Sequence, residues 1–304
     1  MATFFQVDIA PAEAHDVPAA WEVLFGNQLA RPAEEYLSES ATPSGLYVAK
    51  RGADVVGAGW VRAESIEQNS LVLPKVASGE SHGVAQQILH RLAAFVKLSR
   101  NSTLVCLPNQ SENDLWQSEL FGLGLEQITS LRFLVCLEAW FPIAEPTVAC
   151  GMMEVSDQDF PELKRVVDAT VVQSLDCPAL RDVRGVEAAL PLDGLGEEVE
   201  AYLCLIEFQP IGCLVLEKVN HGTTLEIRYV GLVPDWRGQG IGSRLVAWTL
   251  WRARQLNCNQ VLTIVDGANE PAVQLYSQAG FTVYEERSLY FLDPRLSRDV
   301  VNPC

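Results

Sequence analysis

The sequence predicts an α/β (α+β) fold made twice in tandem, each half a mixed, mostly antiparallel sheet flanked by helices. Three observations predict it. The first is the stretch TLEIRYVGLVPDWRGQGIGSRLVAWTLWRARQL, Thr224 to Leu256. There a strand rich in β-branched and aromatic residues is ended by Pro234, followed by a turn with Gly238, Gly240 and Gly242, then by a run without proline or glycine. The second is that the same order of helix, hairpin, strand, helix, strand, helix and strand can be read in both halves. The third is spacing. Tyr47 and Tyr202, Val56 and Ile211, and Gly57 and Gly212 are each 155 apart; Asn113 and Asn269, and Gly124 and Gly280, are 156 apart; Gly83 and Gly240 are 157 apart. A nearly constant offset through six landmarks argues duplication.

In chain order, residues 17–31 suggest a helix, Leu46 to Arg62 a hairpin turning at RGAD, and Ser70 to Val76 a strand. Residues His82 to Leu98 repeat apolar side chains at Val84, Ile88, Leu92 and Phe95, the period of a helix. Thr103 to Leu107 reads as a strand, Glu112 to Gly122 as a helix and Ile128 to Leu137 as a strand. Pro142, Pro146 and Gly151 mark a connection from Ala139 to Met152, which places the domains at 1–145 and 150–304. The second half then reads as a helix at Asp159–Leu175, a hairpin at Ala201–Lys218, a strand at Leu225–Val233 and a helix from Ser243. A strand at Gln260–Val265, a helix at Glu270–Gln278 and a strand at Thr282–Leu292 complete it. The C-terminal half has about 12 more residues than the other between its first helix and its hairpin.

A strand, a glycine turn and a helix N-terminus make an anion site. The N–H groups of the first turn have no partner inside the helix, and the helix dipole favours negative charge there. Glycine lets the backbone turn with φ > 0 and approach a phosphate with no Cβ in the way. Arg237 adds a positive charge beside these amides. A Walker lysine is absent, and the order Arg237-x-x-Gly240-x-Gly242 is not a dinucleotide fingerprint.

The segment EIRYVGLVPDWRGQGIG resembles the acyl-CoA-binding core of the GNAT superfamily of N-acetyltransferases, whose Q/R-x-x-G-x-G/A motif is met by Arg237, Gly240 and Gly242. A second element of that family follows at Asn269-x-x-Ala272-x-x-Leu275-Tyr276-x-x-x-Gly280-Phe281. The likeness is strong from about Val199 to Leu292 and weaker before it. It implies acetyl-CoA as cosubstrate and a primary amine as acceptor. It also implies that amides of Gly238, Gln239, Gly240, Gly242 and Ser243 hold the pyrophosphate, with Arg237 beside them. Main-chain groups of Leu232 and Val233 would hold pantetheine and polarise the carbonyl. Asn269 would bind the cofactor's arm or cap its helix. Tyr276 resembles the family's general acid and Glu226 its base, with Arg228 on the same face. The inserted stretch borders the acceptor side, where Asp176, Asp182 and Arg184 are candidates. A non-catalytic acyl-CoA-binding or scaffold protein is the competing reading.

The N-terminal copy differs where chemistry would occur. With Gly83 set on Gly240, the turn reads Glu80-Ser81-His82-Gly83, so a glutamate stands where the arginine was, and Leu120 stands where Tyr276 does. This half reads as degenerate. Net charge is −17 and evenly shared, with 9 basic and 17 acidic residues in 1–145 against 13 and 22 in 146–304. No basic stripe is present to neutralise phosphates, so nucleic acid is not an expected partner. Neither a signal peptide nor a membrane-spanning run is visible, and the eight scattered cysteines read as reduced core residues, so a cytoplasmic location is expected. No zinc-like cluster appears, and no metal is expected.

Overall fold

The computed structural model describes residues 7–26, 43–63, 68–98, 103–148, 150–176 and 198–292. The backbone forms two compact units, Met1–Gln127 with Ser288–Cys304, and Ile128–Arg287.

The first unit holds β1 (Asp8–Pro11), α1 (Val17–Phe25), β2 (Leu46–Arg51), β3 (Asp54–Ala63), β4 (Gln68–Val76), α2 (His82–Leu98), β5 (Thr103–Cys106) and α3 (Gln110–Gly122). Strands β1 to β4 pair antiparallel in chain order, and β5 lies parallel to β4. The end of the chain's last strand closes this sheet, with Tyr290 opposite Cys106. The apolar stripe of α2, from Val84 through Ile88 and Leu92 to Val96, is buried on one face with Trp116, Leu120 and Tyr290. Trp21 and Leu24 of α1 pack with Val48, Ala58 and Trp60 in a separate cluster. The helix expected over 17–31 ends at Phe25, followed by Gly26, and residues 27–42 lie outside the described residues.

The second unit takes in β6 (Glu126–Leu137), then β7 (Gly151–Glu154), α4 (Phe160–Val171), β8 (Val199–Ile206), β9 (Gln209–Val219), β10 (Thr224–Leu232), α5 (Ile241–Gln255), β11 (Gln260–Asp266), α6 (Glu270–Gln278) and the first part of β12 (Thr282–Leu292). Its strands run β6-β11-β10-β9-β8-β7, antiparallel except for the parallel pair β10–β11. The cut between units falls ahead of the Ala139–Met152 connection because β6 pairs with β11 from Leu137 to Leu131.

The duplication is visible element by element. Gln68 and Thr224 start equivalent strands 156 apart, each followed by a helix and a parallel partner strand. Val17 and Phe160 start equivalent helices 143 apart, and Asp8 and Gly151 start short strands, also 143 apart, that the sequence did not predict. The difference between the offsets is the insertion after the first helix. Residues 177–197, with Asp182 and Arg184, lie outside the described residues. No described helix is long and apolar enough to cross a membrane.

Candidate active site

Strand β10 keeps β9 beside it from Thr224 to Leu232, but pairs with β11 only from Thr224↔Gln260 to Ile227↔Thr263. A register shift between Ile227 and Tyr229 leaves Arg228 as an extra residue on β10. Beyond that bulge β11 continues to Asp266 in register with β6, so the two parallel strands diverge. The N–H of Val233 turns back to the Ile211 carbonyl at 2.9 Å. In an antiparallel ladder, alternate residues present their main chain to opposite sides, so Val230 and Leu232 face the open side and Val233 does not. The Val233 amide, expected to serve a cofactor, is thus engaged within the fold.

Tyr276 sits at the vertex of this divergence. It reaches back from α6, is buried, and packs edge-on against Phe281 at 5.2 Å. Its hydroxyl is hydrogen-bonded with Thr263, the last β11 residue paired with β10. Burial pushes the phenol up to about 12, with the Asp176 charge adding to the shift and the Thr263 hydrogen bond opposing it. Glu226, one position before Ile227, lies on the other face of β10, opposite Glu217 of β9, and is half-buried. Arg228, the bulged residue, forms an ion pair with Glu217.

Past Leu232 the chain makes a 3-10 turn, Pro234–Trp236, and enters the glycine loop. Gly238 and Gly240 have φ of +72° and +77°, the left-handed region that only glycine enters without strain, and a Cβ on either would meet open space. Gly240 is the N-cap of α5; it brings no side-chain cap, and the first turn holds no acidic residue. Ser243 is exposed in that turn, and exposed Gln239 turns its side-chain amide to the Asp235 carbonyl at 2.9 Å. This end of α5 fits an anionic group: no side-chain cap on its amides, open space beside Gly238 and Gly240, and no acidic residue in the first turn.

Three residues read from the motif make contacts that the motif alone does not reveal, and for Asn269 one of them is the helix cap that the sequence allowed. A Cβ on Gly242 would stand 3.0 Å from Leu275 Cδ1, so this glycine faces α6 rather than the open side of the loop. Asn269 caps α6 by accepting from the Ala272 N–H at 3.2 Å and donates from Nδ2 to Asp176 Oδ1 at 2.8 Å. Arg237 donates from Nε to the Leu232 carbonyl at 2.9 Å and from its Nη atoms to the carbonyls of Thr170, Val172 and Gln173 at 2.8–2.9 Å. Its charge is thus turned to the C-terminal end of α4 and not to the loop amides. Sequence reasoning also missed Tyr229 and Thr170, whose hydroxyls lie 2.7 Å apart beside the open half of β10. Burial pushes the Tyr229 phenol up to about 12. No local motif marks either residue.

The first unit lacks these features at the matching positions. Glu80 makes a two-point ion pair with Arg51, at 3.1 and 2.8 Å, just before α2. Trp116, which the 156-residue offset sets on Ala272, is buried with its ring 4.6 Å from that of His82. Leu120 is fully buried where Tyr276 stands in the second copy.

A mixed sheet with two diverging parallel strands, and a glycine-led helix N-terminus next to them, is the arrangement that the resemblance implied. Residues 173–281 match the family model for the acetyltransferase (GNAT) family, and this stretch is a GNAT acetyltransferase domain. The chain is 42% identical over 65 residues to the mycothiol acetyltransferase of Thermobifida fusca, covering 21% of this chain and 20% of that protein. Among solved structures, a GCN5-related N-acetyltransferase from Sphaerobacter thermophilus matches with a TM-score of 0.66 at 14% identity, over 95% of this chain and 96% of that one. A tandem GNAT protein from the clavulanic acid biosynthesis pathway matches with a TM-score of 0.59 at 14% identity, over 95% of this chain and 99% of the other. At such identities the structures show the fold alone, and that fold is the tandem GNAT arrangement.

Proposed function

We propose that the chain is an N-acetyltransferase with one working site, in the second unit, moving an acetyl group from acetyl-CoA to a primary amine of a small molecule. The observation that carries this reading is the vertex where β10 and β11 part, with Tyr276 reaching it from one face, Glu226 beside it on the other and the uncapped start of α5 beyond the end of β10. Relatives named mycothiol acetyltransferase support a small-molecule acceptor over a protein one.

In this reading the amides at the start of α5 hold the pyrophosphate of the donor, and the open edge at Val230 and the N–H of Leu232 hold its arm, the Leu232 carbonyl being taken by Arg237. The amine nitrogen attacks the thioester carbonyl carbon, the C–S bond breaks, and Glu226 takes the proton the amine gives up, directly or through a water. The thiol that leaves has an ordinary value near 8.5. A phenol at about 12 stays protonated throughout the working range, so Tyr276 acts by donating a hydrogen bond to the sulfur as charge develops there.

The test is CoA release from acetyl-CoA with a panel of small amines, using wild type and Tyr276→Phe, with CoA binding followed in parallel. The variant keeps the ring packing on Phe281 and should bind CoA within about threefold of wild type, while kcat falls by about 10²–10⁴. Because the phenol donates a hydrogen bond and keeps its proton, the fall should be similar at every pH of the working range. Equal transfer by the variant at every pH would make Tyr276 a packing residue. If wild type binds CoA and transfers to no amine, a non-catalytic acyl-CoA-binding protein is the better description.

A further inference from the structure

We propose that Arg237 is a positioning residue that fixes the strip 170–176, beside the open half of β10, to the loop before α5, and that it makes no contact with the cofactor phosphates. The donor half of this inference rests on the reading of the loop as an acyl-CoA site. Helix α4 stops at Val171; Val172 then turns extended, and Gln173 takes a φ of +53°. A helix end of this kind leaves carbonyls without partners and carries the negative end of the dipole. Four N–H groups of Arg237 are directed at the carbonyls of Thr170, Val172, Gln173 and Leu232. A planar fork with five donors fits this spread of acceptors, and it leaves a single donor for anything else.

The segment so held borders the site at both ends. Its first residue, Thr170, places its hydroxyl 2.7 Å from that of Tyr229 on the open half of β10. Its last, Asp176, is tied to Asn269 at the start of α6. Between them the Ser174 N–H bonds to the Val171 carbonyl and the Asp176 N–H to the Ser174 hydroxyl. Arg237 is therefore the link between the turn that follows β10 and the strip 170–176.

Arg237→Lys and Arg237→Gln separate this role from phosphate binding, because lysine keeps the charge and loses the fork. We expect amide exchange at Ser174 and Asp176 to rise about tenfold or more in both variants, with exchange in β9 and α5 unchanged. Affinity for CoA, measured by calorimetry, should stay within about threefold of wild type in both. Unchanged exchange over 170–176 would overturn the proposal. So would CoA affinity that falls about tenfold or more in Arg237→Gln and returns in Arg237→Lys, the signature of a charge acting on phosphate. If wild type fails to bind CoA, the donor reading falls, and the exchange measurement alone decides the role of Arg237.

Discussion

Replacing Gly240 and Gly242 one at a time separates the glycine that faces open space from the one that faces α6. At Gly240 an alanine must adopt a φ of +77°, which costs about 1–2 kcal/mol, offset in part by the lower entropy of the unfolded chain. Its methyl meets no protein atom within 4 Å. At Gly242 the backbone is helical, and the methyl meets only Leu275 Cδ1, at 3.0 Å, the far end of a flexible side chain. The gain of up to about 1 kcal/mol in helix propensity then roughly balances that contact. Valine at Gly242 forces two further carbons against Leu275 and should cost about 1–3 kcal/mol. The assay is thermal unfolding beside calorimetric titration with CoA. Gly240→Ala should lower affinity about tenfold or more with a modest loss of stability, and Gly242→Ala should leave both nearly unchanged. Gly242→Val should lose stability first and affinity only through it. If Gly242→Ala abolishes CoA binding at unchanged Tm, or Gly240→Ala keeps full affinity, the assignment of the two glycines is wrong.

Calorimetry of the whole chain should give one CoA per chain, because Glu80, Trp116 and Leu120 stand at the matching positions of the first unit; two equivalent sites would refute this. Stability should also depend on acid through Glu200, which accepts two hydrogen bonds from Arg252, at 2.9 and 2.8 Å, and one from Tyr202 at 2.8 Å. Burial alone would raise this carboxyl, but those hydrogen bonds and the Arg252 charge outweigh it and hold the group below its ordinary value. A carboxyl depressed in the folded state contributes stability above its unfolded value, near 4.3, and that contribution is lost as pH falls through the lower folded value. Wild type should therefore lose stability more steeply than Glu200→Gln as pH drops below about 4.5, and parallel curves in urea unfolding would remove Glu200 as a cause. Glu226→Gln should lower kcat with little change in CoA affinity if the carboxylate takes the amine's proton; full kcat in the variant would leave Glu226 a strand residue only.

What the sequence determined alone was what lies close together along the chain. The strand, the proline stop, the glycine turn and the helix of residues 224–256 follow one another, so each could be read from backbone preference and periodicity. The duplication was legible because a constant offset survives divergence: Gln68–Val76 and Thr224–Leu232 are found as equivalent strands with equivalent parallel neighbours. The tertiary structure alone decided where side chains with several possible partners spend their bonds. Arg237 has carbonyl partners 64 to 67 positions away, and Asn269 reaches a carboxylate 93 positions away. No local pattern distinguishes those attachments from contact with a phosphate. Gly240 and Gly242 share one motif, yet one takes a left-handed φ and faces open space while the other lies against Leu275. Backbone preference allows glycine at both, and only the packing of α5 against α6 tells them apart. The parting of β10 from β11 likewise depends on a bulge at Arg228 and on β6 holding β11 in register, a balance between strands far apart in sequence.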